Sequence, residues 1–186
     1  MGKLFIYSDS HFGHANIIHY ANRPYASVEE MNEDLIKRWN ETVSPDDMVI
    51  HLGDFGFGPI DRQRRIFERL NGEKRLILGN HDGNRTRMER IGFIDPVKSL
   101  DYKLGDTTIH MVHNPANARP EGQFDIVLYG HLHNTKCEKF DKIPTWVNCC
   151  VENWDYRPID METIITTVAD RILLSIPGFE EFTRNL

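Results

Sequence analysis

The sequence predicts a mixed α/β fold, a four-layer α/β/β/α sandwich in which two mixed sheets pack together between flanking helices. In the first half of the chain, short apolar segments alternate with helical patterns, which is typical of parallel β-α-β units. These segments are residues 3–7, 48–52 and 75–78. The second half is mostly strand-like with hairpin-like spacing, at 107–112, 125–129 and 145–148. Two sheets, one from each half, are therefore expected.

The helix signals support this arrangement. Ser27 and Glu30 match a capping box, and the apolar residues that follow recur at helical spacing up to Trp39. Pro59 can open a second helix, which Asn71-Gly72 ends. A short helix is expected at 84–91. A last amphipathic helix is predicted from the spacing of Met161, Ile164, Ile165, Val168 and Ile172.

Length and composition limit the possible classes of protein. The 186 residues, without an internal repeat or a Gly/Ser linker, predict a single domain over 1–186. No apolar run approaches the ~20 residues of a membrane span. Three cysteines, two of them adjacent at Cys149 and Cys150, favour a reduced cytoplasmic protein over a disulfide scaffold. The net charge of −6 gives no strong sign of nucleic-acid binding, which needs clustered Lys and Arg.

Five predicted strands run directly into side chains that can bind a metal. In open α/β sheets such strand ends form the ligand site. Singly, each motif is more often ordinary turn chemistry or a hydrogen-bonded histidine, but five in succession are hard to obtain from bland surface composition. The motifs are Asp9-Ser10-His11, Gly53-Asp54, Gly79-Asn80-His81-Asp82, His113 and Gly130-His131-Leu132-His133.

This order of motifs resembles the calcineurin-like metallophosphoesterase superfamily, and it spans most of the chain from Asp9 to His133. The segment 8–18, SDSHFGHANII, is also similar to a subgroup of small bacterial and phage phosphoesterases. The resemblance implies a dinuclear metal centre with a metal-bridging hydroxide as nucleophile. It implies that Asp9, His11 and His133 bind the first metal, that Asn80, His113 and His131 bind the second, and that Asp54 bridges them.

The chemistry of these residues suits that allocation. A ligand between two cations must be anionic with two acceptor oxygens, as Asp54 is. Imidazole suits Mn, Fe, Co, Ni and Zn, and no cysteine lies in any motif, so a thiolate-rich zinc site is not expected. Two divalent metal ions are predicted as cofactors, with Mn favoured and Fe, Zn, Ni or Co as alternatives.

Further residues are candidates for catalysis or substrate binding. His81 follows Asn80 directly and is the candidate general acid, and both are expected to face the phosphate. Asp82 can orient that imidazole or be an ordinary loop carboxylate. His14 can contact substrate or be a polar loop residue. His110 competes with His113 for the strand-end position, and His113 is favoured because His113-Asn114-Pro115 resembles the family's loop.

Other side chains have weaker claims. His51 is expected to pack behind Asp54. Five aromatic residues can line a base pocket but are more often core or rim: Phe55, Phe57, Trp146, Trp154 and Tyr156. Arg23, Arg85 and Arg87 can grip a second phosphate, although solvated helix faces are the default.

The sequence therefore predicts a metal-dependent phosphoester hydrolase, a phosphomonoesterase or a phosphodiesterase. Its substrate is expected to be a small phosphoester, with a nucleotide as one option, and no membrane partner is expected. Two alternatives remain open. One is a catalytically silent metal-binding interaction module of the same fold, which loss of His81 or a metal ligand would mark, and neither is lost. The other is a nuclease acting on nucleic acid.

Overall fold

Two four-stranded mixed sheets form the centre of the protein, in a computed structural model that describes residues 2–119 and 122–177. The first sheet has the order β3-β2-β1-β8 and the second has the order β4-β5-β6-β7. The strands are β1 (Leu4–Tyr7), β2 (Met48–His51), β3 (Glu73–Leu76), β4 (Ser99–Leu104), β5 (Thr107–Val112), β6 (Ile126–Tyr129), β7 (Trp146–Asn148) and β8 (Ile159–Asp160). The predicted fold class is confirmed.

Helices cover the outer face of the first sheet. Four of them share one buried cluster with Phe5, Tyr7 and Val49 of that sheet. The capping box is present with one change: Ser27 accepts from the Glu30 N–H, but the Glu30 carboxylate accepts from Ala26. The helices are α1 (Ala15–Tyr20), α2 (Val28–Thr42), α3 (Ile60–Arg69), α4 (Arg85–Ile91), α5 (Glu138–Asp141) and α6 (Met161–Ser175). The four that contribute to this cluster are α1, α2, α3 and α4.

The two sheets bury a second cluster between them. Ile6 and Ile50 of the first sheet share it with Met111, Leu128 and Val147 of the second, and all five are at most 2% exposed. Helix α6 completes this cluster and contacts β1, β7 and β8. Each fully buried side chain of this kind contributes about 1.5–3 kcal/mol relative to an exposed one. This core holds the two sheets in one relative position.

The outer face of the second sheet carries a thinner layer. The four-residue helix α5 covers it, and Phe140 stacks on Trp146 with ring centroids 5.3 Å apart. The prediction of hairpin-like pairing was wrong for β5, β6 and β7, which pair in parallel, and the antiparallel hairpin is β4–β5. Long connections separate these parallel strands, and such connections suit a crossover rather than a tight turn.

The parallel pairing brings the strand ends together. Strands β1, β2 and β3 run parallel, as do β5, β6 and β7. A parallel bridge between Ser8 and Cys150 joins the two sheets just beyond β1 and β7. The carboxyl ends of both sheets therefore open onto one site. The single-domain prediction over 1–186 stays a prediction, since residues 1, 120–121 and 178–186 lie outside the described ranges.

None of the helices within the described ranges combines the length and hydrophobicity that crossing a bilayer requires.

Candidate metal centre

The first group of candidate ligands is formed by Asp9, His11 and His133. Their ligand atoms all lie within 4.8 Å of one another. The loop after β1 supplies Asp9 and His11, and the loop after β6 supplies His133. Nε2 of His11 lies 3.7 Å from Asp9 Oδ1, and Nε2 of His133 lies 3.8 Å from the same oxygen. The group thus joins the two sheets.

The second group consists of Asp54, His113 and His131, again with ligand atoms within 4.8 Å. The amide oxygen of Asn80 joins it, 3.0 Å from His113 Nε2. Nδ1 of His113 donates to the Leu52 carbonyl at 2.8 Å, so its Nε2 faces Asn80 and Asp54. The residues predicted for the second metal are therefore brought together.

Asp54 lies between the two groups through a single oxygen. Its Oδ2 is 3.6 Å from His11 Nε2 and 3.4 Å from His113 Nε2. Its Oδ1 instead accepts the backbone N–H of His81 at 2.8 Å. One carboxylate oxygen is thus within reach of both groups, and the other holds the third strand-end loop in place.

Buried polar atoms in this centre fit divalent cations. Among the described residues, Asp9 Oδ1 and both ring nitrogens of His11 are buried without a hydrogen-bond partner. An unsatisfied buried polar atom is costly and calls for an explanation such as an ion. Asn80 Oδ1 faces Nε2 of His113 while Nδ1 donates elsewhere, so two acceptors meet unless a proton or a cation lies between them. Carboxylate, imidazole and amide donors suit first-row divalent metals.

The local electrostatics favour positive charge. Burial alone raises the pKa of the Asp9 carboxyl, but the imidazoles of His11, His113 and His133 hold it well below its ordinary range. Burial alone lowers the pKa of His113, yet its contact with Asp54 and the charge of Asp9 raise that pKa to about 9. A centre that stabilises a proton at His113 also attracts a metal cation.

The backbone of the site is strained in the same places. Asp9, His11, Asp54, His131 and His133 all have positive φ, between 50° and 71°. Non-glycine residues adopt this region rarely, and such strain clusters at functional sites. The flanking glycines are equally specific, because a Cβ at Gly130 would overlap Ser8 Oγ and Asp9 Oδ2.

His81 and His14 lie beside the two groups. His81 is exposed, and its ring lies 5.7 Å from that of His11. Phe57 packs between the two candidates, 5.0 Å from the ring of His81 and stacked on His14 at 4.0 Å. Burial lowers the pKa of His14 to about 4. Both histidines therefore lie beside the candidate metal centre, and Phe57 packs against each of them.

Asp82 does not orient His81. Its Oδ2 accepts the backbone N–H groups of Asp54 and Gly79, and its Oδ1 accepts that of Phe55. With both oxygens directed at these amides, the carboxylate ties the loop after β2 to the loop after β3. The interpretation of Asp82 as a partner of the His81 imidazole was wrong, and the alternative of a loop carboxylate agrees with its contacts, although the side chain is buried.

The other two histidines near the strands lie outside both groups. His51 is fully buried beside the centre, where Nδ1 accepts from Gly53 and Nε2 lies 2.9 Å from Ser10 Oγ. Since Ser10 donates to a carbonyl, it accepts from His51. His110 pairs with Asp101 and stacks on Phe124, away from the ligands. The geometry thus agrees with the choice of His113 over His110.

Arg23 has neither of the roles expected for it. Arg23 does not face a substrate: it is buried and pairs with Glu152, whose Oε1 also contacts His133. Cys150 donates through Sγ to Asp9 Oδ2. The sequence offered no signal for Glu152 or Cys150, because neither lies in a motif.

Arg85 pairs with Glu89 and Asp95, and Arg87 donates to Gly58. The aromatic residues other than Phe57 lie in the core or at its margin: Phe55, Trp146, Trp154 and Tyr156.

Two sheets whose strand ends converge on paired donor groups define a metallophosphoesterase-type fold. The family model of the calcineurin-like phosphoesterase superfamily domain matches residues 3–149. The chain belongs to this superfamily.

The chain is also similar to proteins from an archaeon and a phage and to one solved bacterial structure. An uncharacterized protein of Methanocaldococcus jannaschii is 34% identical over 175 residues, covering 90% of this chain and 92% of its own. The gene 66 protein of Mycobacterium phage L5 is 38% identical over 166 residues, covering 72% and 79%. A protein of unknown function from Aquifex aeolicus has a similar structure, with a TM-score of 0.73, 24% identity and coverage of 89% and 99%. That structural likeness shows the fold alone.

Proposed function

We propose that this protein is a phosphoester hydrolase that uses a dinuclear metal centre. The observation that carries the proposal is the position of Asp54 Oδ2, within 3.6 Å of a ligand nitrogen in each of the two groups. A shared anionic oxygen is what a pair of closely spaced cations needs. Membership of the superfamily supports hydrolysis of a phosphoester as the reaction.

The proposed ligand sets follow the two groups. Asp9, His11 and His133 hold the first metal, and Asn80, His113 and His131 hold the second, with Asp54 common to both. Mn²⁺ is the favoured ion, since the donors are imidazole and oxygen without thiolate, and Fe, Zn, Ni or Co are alternatives. When bound, such a metal pair supplies Lewis acidity that activates water and offsets phosphate charge.

His81 is the proposed general acid. The hydrogen bond from its backbone N–H to Asp54 Oδ1 fixes the start of its side chain beside the centre, while its ring stays exposed to an incoming substrate. In this position the imidazole can donate a proton to the leaving oxygen. Such acid catalysis is typically worth about 10²–10⁴-fold in rate.

A cleft beside the second group supports a small substrate. It encloses about 530 Å³ and is lined by Asn80, His113 and His131 together with Lys98 and Asn117. The amides of Asn80 and Asn117 and the ammonium group of Lys98 suit a phosphomonoester or phosphodiester with a polar leaving group, such as a nucleotide. His14, stacked on Phe57, is the proposed substrate contact on the side of the first group. The three free cysteines fit a reducing, cytoplasmic location.

A metal-dependent assay tests this function. Purified protein treated with EDTA and then Mn²⁺ is expected to hydrolyse p-nitrophenyl phosphate or bis-p-nitrophenyl phosphate, and EDTA is expected to abolish the activity. Inactivity on every ester with each of the five metals would instead favour a silent metal-binding module. Strong inhibition by single-stranded DNA, with cleavage of that DNA, would favour a nuclease.

A further inference from the structure

We propose that Glu152, neutralised by Arg23, is a positioning residue that fixes His133 for the first metal and makes the two metal sites unequal. The inference rests on the proposed function only in so far as both groups bind metal. It concerns two residues outside the motifs, brought to the centre by the loop after α1 and by a short 3-10 helix, Val151–Asn153, after β7.

The contact with His133 sets the tautomer of the imidazole. His133 Nδ1 lies 2.9 Å from Glu152 Oε1, and a carboxylate can only accept, so Nδ1 carries the proton. Nε2, which lies 3.8 Å from Asp9 Oδ1, then keeps its lone pair for a metal. A carboxylate behind a metal-binding histidine fixes its orientation and raises its basicity as a ligand.

Arg23 holds the carboxylate in place and neutralises it. Its Nε and Nη2 donate to Glu152 Oε1 at 2.9 and 2.6 Å, and the two side chains are 0% and 3% exposed. The same guanidinium donates to the carbonyls of Asp9 and Ser10. It therefore links the loop that carries Asp9 and His11 to the carboxylate that positions His133.

The second group has a weaker counterpart. His113 also donates from Nδ1, but to the neutral carbonyl of Leu52 at 2.8 Å. A carboxylate acceptor makes a stronger, charge-assisted hydrogen bond than a carbonyl. The first group therefore has a charged acceptor behind its histidine where the second has a neutral one. Removing the charge of Glu152 is expected to weaken the first site selectively.

The test is calorimetric titration of Mn²⁺ into EDTA-treated protein. Wild type is expected to show two binding events per chain. Glu152→Gln is expected to weaken one of them by about 10–100-fold and to leave the other unchanged. Glu138→Gln, at an exposed ion pair in α5, is the control and should bind as wild type does.

A second variant guards against misfolding, because Glu152→Gln leaves Arg23 as a buried charge without its partner. In the double variant Arg23→Met, Glu152→Gln both charges are removed, and the same selective loss is expected. Long-range ¹H–¹⁵N spectra of the Zn²⁺-loaded wild type should show His133 protonated at Nδ1. Equal weakening of both sites, no weakening, or a proton on Nε2 overturns the proposal. Two Mn²⁺ bound with the predicted asymmetry but no hydrolysis would reject the proposed function alone.

Discussion

Asp54 contacts both groups of candidate ligands and the loop that carries His81. One oxygen lies between the imidazoles of His11 and His113, and the other accepts the N–H of His81. The Asp54 carboxylate thus lies next to both candidate metal positions and next to the backbone of the candidate acid. A change at Asp54 should alter metal binding, whereas a change at the ring of His81 should alter catalysis alone.

His81→Ala is expected to lower kcat by about 10²–10⁴ while the metal content stays at two per chain, because the exposed ring is not a ligand. The loss should be larger for an alkyl phosphate than for an activated aryl ester. Rates and metal analysis on the same preparations check this, with His19→Ala, at an exposed position of α1, as the control. Full activity of His81→Ala on the alkyl ester contradicts the assignment.

His51 makes stability depend on pH. Burial lowers its pKa from the ordinary 6.5 to about 3. Between these values the unfolded chain binds a proton that the folded protein does not, so the free energy of unfolding falls as pH falls from 6.5. His51→Asn keeps an acceptor for the Gly53 N–H and cannot titrate. In urea unfolding, the free energy of unfolding of this variant should fall less steeply with falling pH than that of wild type, by up to about 1.4 kcal/mol per pH unit. Parallel profiles for the two proteins would count against this prediction.

At the scale of elements, the backbone of the loops after the strands passes very close to candidate metal-binding side chains. Gly130→Ala is expected to reduce Mn²⁺ binding and to destabilise the fold by about 1–3 kcal/mol, because the new methyl group meets Ser8 and Asp9. Gly105→Ala, where nothing lies within 4 Å, is the control. It should cost only about 1 kcal/mol for its positive φ, with metal binding intact. Unfolding curves and metal content that do not separate the two variants would contradict the steric argument.

The elements also show what a sequence can and cannot predict. The buried strands were found because their apolar runs are short and clearly bounded. β3 was placed two residues late, since this edge strand begins with Glu73, Lys74 and Arg75 and the apolar run starts only at its end. β4 was missed for a similar reason, being an exposed edge strand with polar residues.

The site follows the same pattern. Residues in strand-end motifs were predictable, because the motif itself specifies both the turn and the ligand. Glu152 was not, since it contacts His133 only through the tertiary fold and lies in no recognisable pattern. Asp82 was within a motif, yet its partners are backbone amides of two other loops. Partnerships between loops require the folded structure.

For the whole molecule, the candidate centre spans both sheets, so metal should stabilise their packing. Free Mn²⁺ at 100 times its dissociation constant is expected to add about 2.7 kcal/mol for each independent site. For a chain of this size, one such site corresponds to roughly 5–10 °C in Tm. Thermal unfolding with EDTA or Mn²⁺ checks this, and Asp54→Asn should lose most of the increase. An equal increase in the variant would place the ions elsewhere.

The most direct measurement is a stepwise Mn²⁺ titration in which bound metal and phosphoester hydrolysis are followed together on the same sample. The paired donor groups around Asp54 predict two ions per chain and hydrolysis that reaches its maximum only with the second ion. In Asp54→Asn, both the binding of two ions and the hydrolysis should be lost. Maximal hydrolysis with one ion bound, or hydrolysis retained in Asp54→Asn, would contradict a dinuclear centre built on this carboxylate.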